Sequence, residues 1–134
     1  MIASRALPVV LVVEDDPLLR MLAVEVVEEA GFIAIEARDA DEAVILLESR
    51  IDIALLFTDI NMPGSMDGLK LAHAVRDRWP PIKILVVSGK RQLQSSDLPS
   101  NSCLSESLTR RWRWSRNFDR WSVPFNRSAA IQGR

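Results

Sequence analysis

The chain has 134 residues, 48% hydrophobic and 26% charged, with a formal net charge of −1. That is enough for one domain with a core of its own, and leaves little room for a second. A single cysteine, Cys103, excludes an internal disulfide and fits a reducing cytoplasmic setting, and a single histidine, His73, excludes a His-rich metal site.

The first element is Pro8 to Val13 (PVVLVV). Unbroken, β-branched hydrophobicity of this kind suits a strand buried on both faces. The apolar run from Ala6 to Val13 ends in Glu14-Asp15-Asp16 without a small-residue cleavage site, so it reads as a strand rather than a signal peptide. No apolar stretch approaches the ~20 residues needed to span a bilayer.

Asp16-Pro17 predicts a helix N-cap and first helical residue. Leu19, Leu22, Ala23, Val26, Val27 and Ala30 follow at helical spacing, and Gly31 is placed to end that helix. Phe32 to Ala37 predicts a second strand. Asp39 to Glu42 resembles a capping box, before a helix that buries Ala43, Leu46 and Leu47. Ile53 to Thr58 (IALLFT) predicts a third buried strand. Asp67 can cap a third helix carrying Leu71, Ala72, Val75 and Trp79, which Pro80-Pro81 stops. Ile82 to Val87 (IKILVV) is the fourth strand. Strands alternating with helices in this way predict an α/β fold, a parallel sheet with helices on both faces.

Polar groups gather at the strand ends. Strand one ends at Glu14-Asp15-Asp16, strand three at Thr58-Asp59 and strand four at Ser88-Gly89-Lys90. Open α/β sheets bind ligands beyond the carboxyl ends of their strands, where the strand order reverses. Asp15, Asp16 and Asp59 would repel one another there, and a hard divalent cation would relieve the repulsion. Mg²⁺ suits such a site, because it takes oxygen ligands and only one or two direct carboxylates. Asp59 could then attack phosphorus as a nucleophile, with the Ser88 hydroxyl hydrogen-bonding a phosphoryl oxygen.

Glu14-Asp15-Asp16, Asp59-Ile60-Asn61-Met62-Pro63 with Asp67-Gly68, and Ser88-Gly89 together resemble the signature of response-regulator receiver domains, over roughly residues 8–90. The resemblance implies a flavodoxin-like doubly wound sheet of order 2-1-3-4-5. It implies phosphorylation by a histidine kinase or histidine phosphotransfer protein in a two-component phosphorelay. It assigns Asp15, Asp16, Asp59 and the backbone carbonyl of Asn61 to Mg²⁺, Asp59 to phosphoryl acceptance and Ser88 to the switch hydroxyl. The loop holding Gly64-Ser65 is one residue longer than the usual family form, which a surface loop tolerates.

The resemblance stops after Lys90. The family expects a fifth strand ending in a lysine, then a last helix. The lysines here are Lys70, Lys83 and Lys90, and none follows a credible fifth strand. The nearest apolar stretch, Ser102 to Ser105, leads to Glu106, which would oppose a phosphoryl group. Lys90, Arg110 or Arg111 could stand in, although arginine and lysine differ in shape and hydration. A missing fifth strand would leave strand four as an exposed edge, to be covered by another chain, including a second copy in a homodimer.

The composition changes as well. Residues 1–98 hold 10 Lys+Arg and 16 Asp+Glu, whereas residues 99–134 hold 7 and 2, together with Trp112, Trp114 and Trp121. Residues 1–106 are expected to form the receiver domain. Residues 107–134 read as an atypical Arg/Trp-rich segment, from a divergent end or a reading-frame change. Its arginines could meet phosphates and its tryptophans bases or a membrane interface, but a poorly packed or partner-covered terminus is the plainer expectation, so nucleic acid is not the expected partner.

The leading functional expectation is a phosphorylation-dependent switch that passes its signal to another protein. A module that binds partners without being phosphorylated is the alternative. An aspartyl-phosphate phosphohydrolase is disfavoured, because Asn61 stands where such enzymes usually carry a second Asp.

Overall fold

A computed structural model of the chain describes residues 8–60, 62, 66–87, 97–100 and 102–105. The elements are β1 (Val9–Val13), α1 (Pro17–Glu29), β2 (Ile33–Ala37), α2 (Ala40–Ser49), β3 (Ile53–Asp59), α3 (Gly68–Arg78), β4 (Lys83–Val87) and β5 (Ser102–Ser105). The strands form one sheet of order β2-β1-β3-β4-β5, and every neighbouring pair is parallel.

The strands are buried because their two faces feed two cores. Val10 and Val12 of β1, Leu55 and Phe57 of β3, and Leu85 and Val87 of β4 meet Ala23, Val26 and Val27 of α1. Val9, Leu11 and Val13 turn the other way, with Leu56, Ile84 and Val86, toward Ala43 and Leu47 of α2 and Leu71, Ala72 and Val75 of α3. Strand side chains alternate between faces, so a sheet covered on both sides needs apolar residues at both parities. Burying one such leucine or valine stabilises the fold by ~1.5–3 kcal/mol.

The helix starts follow the caps read from the sequence. The Asp16 carboxylate accepts from the Leu18 and Leu19 amides, Asp39 from Glu42 and Asp67 from Lys70. Glu42 accepts in turn from the Arg38 amide at 2.8 Å, which closes the box around the start of α2. Gly31 follows α1 with φ +96°, a left-handed conformation that glycine adopts without a Cβ penalty.

Two sequence expectations are corrected. Ser102–Ser105 is a strand, and it pairs with Ile84 to Val87 of β4. β4 is therefore an inner strand, and β5 takes the edge position on that side of the sheet. Backbone pairing needs no strongly apolar sequence, and Leu104 supplies enough side chain to pack against the α2/α3-side core. The second correction concerns α1. Leu19 and Leu22, expected on its buried face, are 37% and 41% exposed. The sheet contact is made by the narrower stripe Ala23, Val26 and Val27. The last helix expected by resemblance falls outside the described residues, as does the segment 107–134.

The approach to β5 is pinned from α3. Arg76 donates from Nε to the Ser100 carbonyl at 2.7 Å and from its terminal nitrogens to the carbonyls of Pro80 and Ile82. One turn earlier, His73 donates from Nε2 to the Asp97 carbonyl at 2.9 Å. Partial burial pushes the Arg76 guanidinium below its ordinary pKa. Trp79 caps the C-terminal end of α3, with the Arg78 guanidinium carbon 4.4 Å above its ring.

Candidate functional site

β1 is the point where the strand order reverses: the chain leaves it for β2 on one side and returns to β3 on the other. Register aligns Val13 of β1 with Thr58 of β3. The residues that follow, Glu14 and Asp59, therefore emerge side by side at the carboxyl end of the sheet. Carboxylate oxygens of Glu14, Asp15 and Asp59 lie within 4.8 Å of one another. Glu14 is buried, Asp59 half-buried and Asp15 exposed.

Glu14 is held from several directions. Its amide donates to the Ala37 carbonyl at 3.1 Å, and its carbonyl accepts from the Arg20 guanidinium at 2.8 Å. Arg20 also pairs with Glu36 at 3.1 Å. The Glu14 carboxylate accepts from the Asp16 amide at 3.0 Å. Burial, aided by the charges of Asp59 and Asp15, pushes the Glu14 pKa from 4.5 up to about 8.

The backbone after Asp59 is fixed as tightly. The Ile60 amide donates to the Val87 carbonyl at 3.1 Å, and the Gly68 amide to the Ile60 carbonyl at 2.9 Å. The buried Thr58 hydroxyl donates to the Asp59 carbonyl at 2.9 Å. These bonds join the end of β3, the end of β4 and the start of α3, so the Asp59 side chain is presented by a rigid frame.

The structure thus brings Asp15 and Asp59 together as expected and adds Glu14. Asp16 is placed differently: its carboxylate sits over the first turn of α1, accepting from Leu18 at 2.9 Å and Leu19 at 3.3 Å. The signal for Glu14 was present in the sequence. A carboxylate committed to an N-cap before Pro17 is drawn away from a strand-tip site, which leaves Glu14 and Asp15 as the pair nearest the strand. Asn61 and Ser88 lie outside the described residues, as do Lys90, Glu106, Arg110 and Arg111. Lys83 starts β4, at the opposite end of the sheet from Asp59, and Lys70 is an exposed residue in the first turn of α3.

A family model of the response regulator receiver domain matches residues 10–97. The chain belongs to the response regulator receiver family. This is the receiving module of two-component signalling. Over 88 residues the chain is 32% identical to the nitrogen assimilation regulatory protein NtrX of Azorhizobium caulinodans, a match covering 65% of this chain and 19% of that protein. A receiver protein structure from Pseudomonas putida is 27% identical with a TM-score of 0.69, covering 85% of this chain and 99% of that one. The response regulator TrrA of Thermotoga maritima, solved in complex with Mg²⁺ and BeF, is 27% identical with a TM-score of 0.65, covering 76% of this chain and 89% of that one. The flavodoxin-like receiver fold expected from the sequence is therefore shown. Among the described residues, no helix is long and apolar enough to cross a membrane.

The donor set fits a magnesium ion. Three carboxyl groups converge, and burial with the charges of Asp59 and Asp15 raises the pKa of one of them, Glu14. Hard oxygen donors under mutual repulsion are the donors Mg²⁺ prefers.

Proposed function

We propose that this chain is a phosphorylation-dependent switch that accepts a phosphoryl group on Asp59 from a histidine kinase or histidine phosphotransfer protein in the cytoplasm. The observation that carries this reading is the meeting of Asp59 with Glu14 and Asp15 at the site end of the sheet. Glu14, Asp15 and Asp59 would hold the metal, with the Asn61 carbonyl as a further ligand and the Ser88 hydroxyl toward the phosphoryl group. Residues 1–106 are the receiver unit in this reading.

An Asp59 oxygen attacks phosphorus and forms an acyl phosphate, while the phosphodonor leaves with the bonding electrons. Bound Mg²⁺ would offset the negative charge that builds on the transferring group. The rigid frame around Asp59 aims the carboxylate before transfer. The new phosphoryl group then adds charge and acceptor oxygens at one end of the sheet, the kind of local change to which a two-state surface responds. The test is acetyl phosphate with Mg²⁺ followed by intact mass. One phosphoryl adduct, lost in Asp59→Asn, is expected; an adduct that survives the substitution overturns the assignment.

A second reading has its own support. β5 runs into Glu106 rather than a lysine. A receiver used only as a binding module would bind its partner equally well with Asp59→Asn, whereas the switch would not.

A further inference from the structure

Arg20, the arginine of α1, ties three elements together at the acidic end of the sheet. Its Nε donates to a Glu36 carboxylate oxygen of β2 at 3.1 Å. A terminal nitrogen donates to the Glu14 carbonyl, just past β1, at 2.8 Å. The Arg20 side chain is 21% exposed and that of Glu36 54%. A pair this open to solvent contributes little stability. Its consequence is geometric, because a planar guanidinium that holds two partners fixes the angle between them.

The Glu14 carbonyl belongs to the peptide that leads into Asp15. A peptide is planar, so a bond to its oxygen fixes the direction in which Asp15 leaves the strand. Asp15 is exposed, so its aim depends on the backbone that carries it more than on packing. The other polar groups of Glu14 are bound as well. Its amide donates to the Ala37 carbonyl at 3.1 Å, and its carboxylate accepts from the Asp16 amide at 3.0 Å.

We propose that Arg20, steadied by Glu36, is a positioning residue for the divalent cation, a role that rests on the proposed Mg²⁺ site. It fixes the Glu14–Asp15 peptide so that both carboxyl groups meet Asp59. The guanidinium is not a ligand in this role. Toward the site it donates to backbone, and its ion pair is with Glu36.

Charge and position predict opposite signs. A cation beside an acidic site repels a second cation, so loss of the Arg20 charge alone would strengthen Mg²⁺ binding. Loss of position weakens it, as happens when residues that orient metal ligands are removed. The choice of metal separates the two further. Mg²⁺ demands near-octahedral geometry at ~2.0–2.1 Å, whereas Ca²⁺ accepts ~6–8 oxygens at ~2.3–2.6 Å. A loosened site therefore loses Mg²⁺ before Ca²⁺, and a general loss of folding lowers both alike.

The test is calorimetric titration of the full chain with MgCl₂ and with CaCl₂. Arg20→Met should weaken Mg²⁺ binding about tenfold and reduce the preference for Mg²⁺ over Ca²⁺ several-fold. Arg20→Lys keeps the charge without the planar fork and should stay close to Arg20→Met. Glu36→Ala should weaken Mg²⁺ binding about threefold and add nothing in the Arg20→Met background, because the pair acts as one unit. Arg78→Met breaks the exposed pair with Glu48 instead and should change neither affinity.

The proposal is overturned if Arg20→Met binds Mg²⁺ as well as the unsubstituted chain or better, or loses Mg²⁺ and Ca²⁺ equally. Full recovery with Arg20→Lys, additive losses with Glu36→Ala, or a matching loss in Arg78→Met also overturns it. Should Arg20→Met fail to fold, unchanged Mg²⁺ affinity in Glu36→Ala overturns it. An unsubstituted chain that binds no Mg²⁺ overturns the metal site itself and this role with it, a result distinct from losses confined to the variants.

Discussion

Gly68 stands against the backbone of Asp59: a Cβ on Gly68 would lie 1.8 Å from the Asp59 carbonyl oxygen and 2.7 Å from its carbon. The start of α3 can approach the end of β3 this closely because glycine has no side chain. The same approach allows the Gly68 amide to reach the Ile60 carbonyl. The shape of the acidic site therefore depends on a residue that carries no chemistry of its own.

Gly68→Ala should cost about 3 kcal/mol of stability, because the atom it meets is backbone that cannot turn aside. Denaturant unfolding measures the loss. Mg²⁺ affinity should fall with it, since moving the Asp59 carbonyl moves the carboxylate.

The three consecutive acids should separate by role. Asp16→Ala removes the α1 cap and should cost about 1 kcal/mol of stability, with a smaller effect on Mg²⁺ affinity than Asp15→Ala. Calorimetric titration of each variant checks this. Equal losses of Mg²⁺ affinity would return Asp16 to the metal.

Stability should depend on pH through Glu14. Its folded pKa of about 8 lies above the ordinary 4.5, so the folded state holds the proton more tightly than the unfolded chain. The stabilisation is fully present below about pH 4.5 and is lost as pH rises through 8. In metal-free buffer the urea midpoint should fall from about pH 5 to pH 8 and level off above that, and Glu14→Gln should flatten the decline. Added Mg²⁺ should stabilise more at pH 8 than at pH 6, because it favours the ionised carboxylate.

Asp59→Asn should raise stability in metal-free buffer, since it removes one charge from a crowded cluster. Thermal unfolding reads the gain, which should shrink or reverse when Mg²⁺ is present.

Arg76→Met should loosen the approach to β5. It deletes hydrogen bonds to three backbone carbonyls, worth about 2–3 kcal/mol together. Hydrogen exchange should quicken in residues 97–105 and stay slow in β1 and β3.

Much of this molecule could be read along the chain. Asp16, Asp39 and Asp67 marked the helix starts because a short carboxylate before a helix meets its free amides, a purely local event. The buried strands were visible because unbroken β-branched runs have few other uses. The acids at the tips of β1 and β3 pointed to the site for the same local reason.

Three features were decided by tertiary structure alone. The sequence pointed to Asp15 and Asp16 as the acid pair, but strand register set Glu14 beside Asp59 while the cap drew Asp16 away. Ser102–Ser105 became β5 because β4 offered backbone partners, which residue type does not report. On α1 Leu19 shares a flank with Ala23 and Val26, yet the sheet covers Ala23, Val26 and Val27 and leaves Leu19, at the start of the helix, and Leu22, on the next flank, exposed. Caps and strand propensity act between neighbours in sequence, whereas register, pairing and the choice of a buried flank are contacts between distant segments, which exist only once the chain has folded.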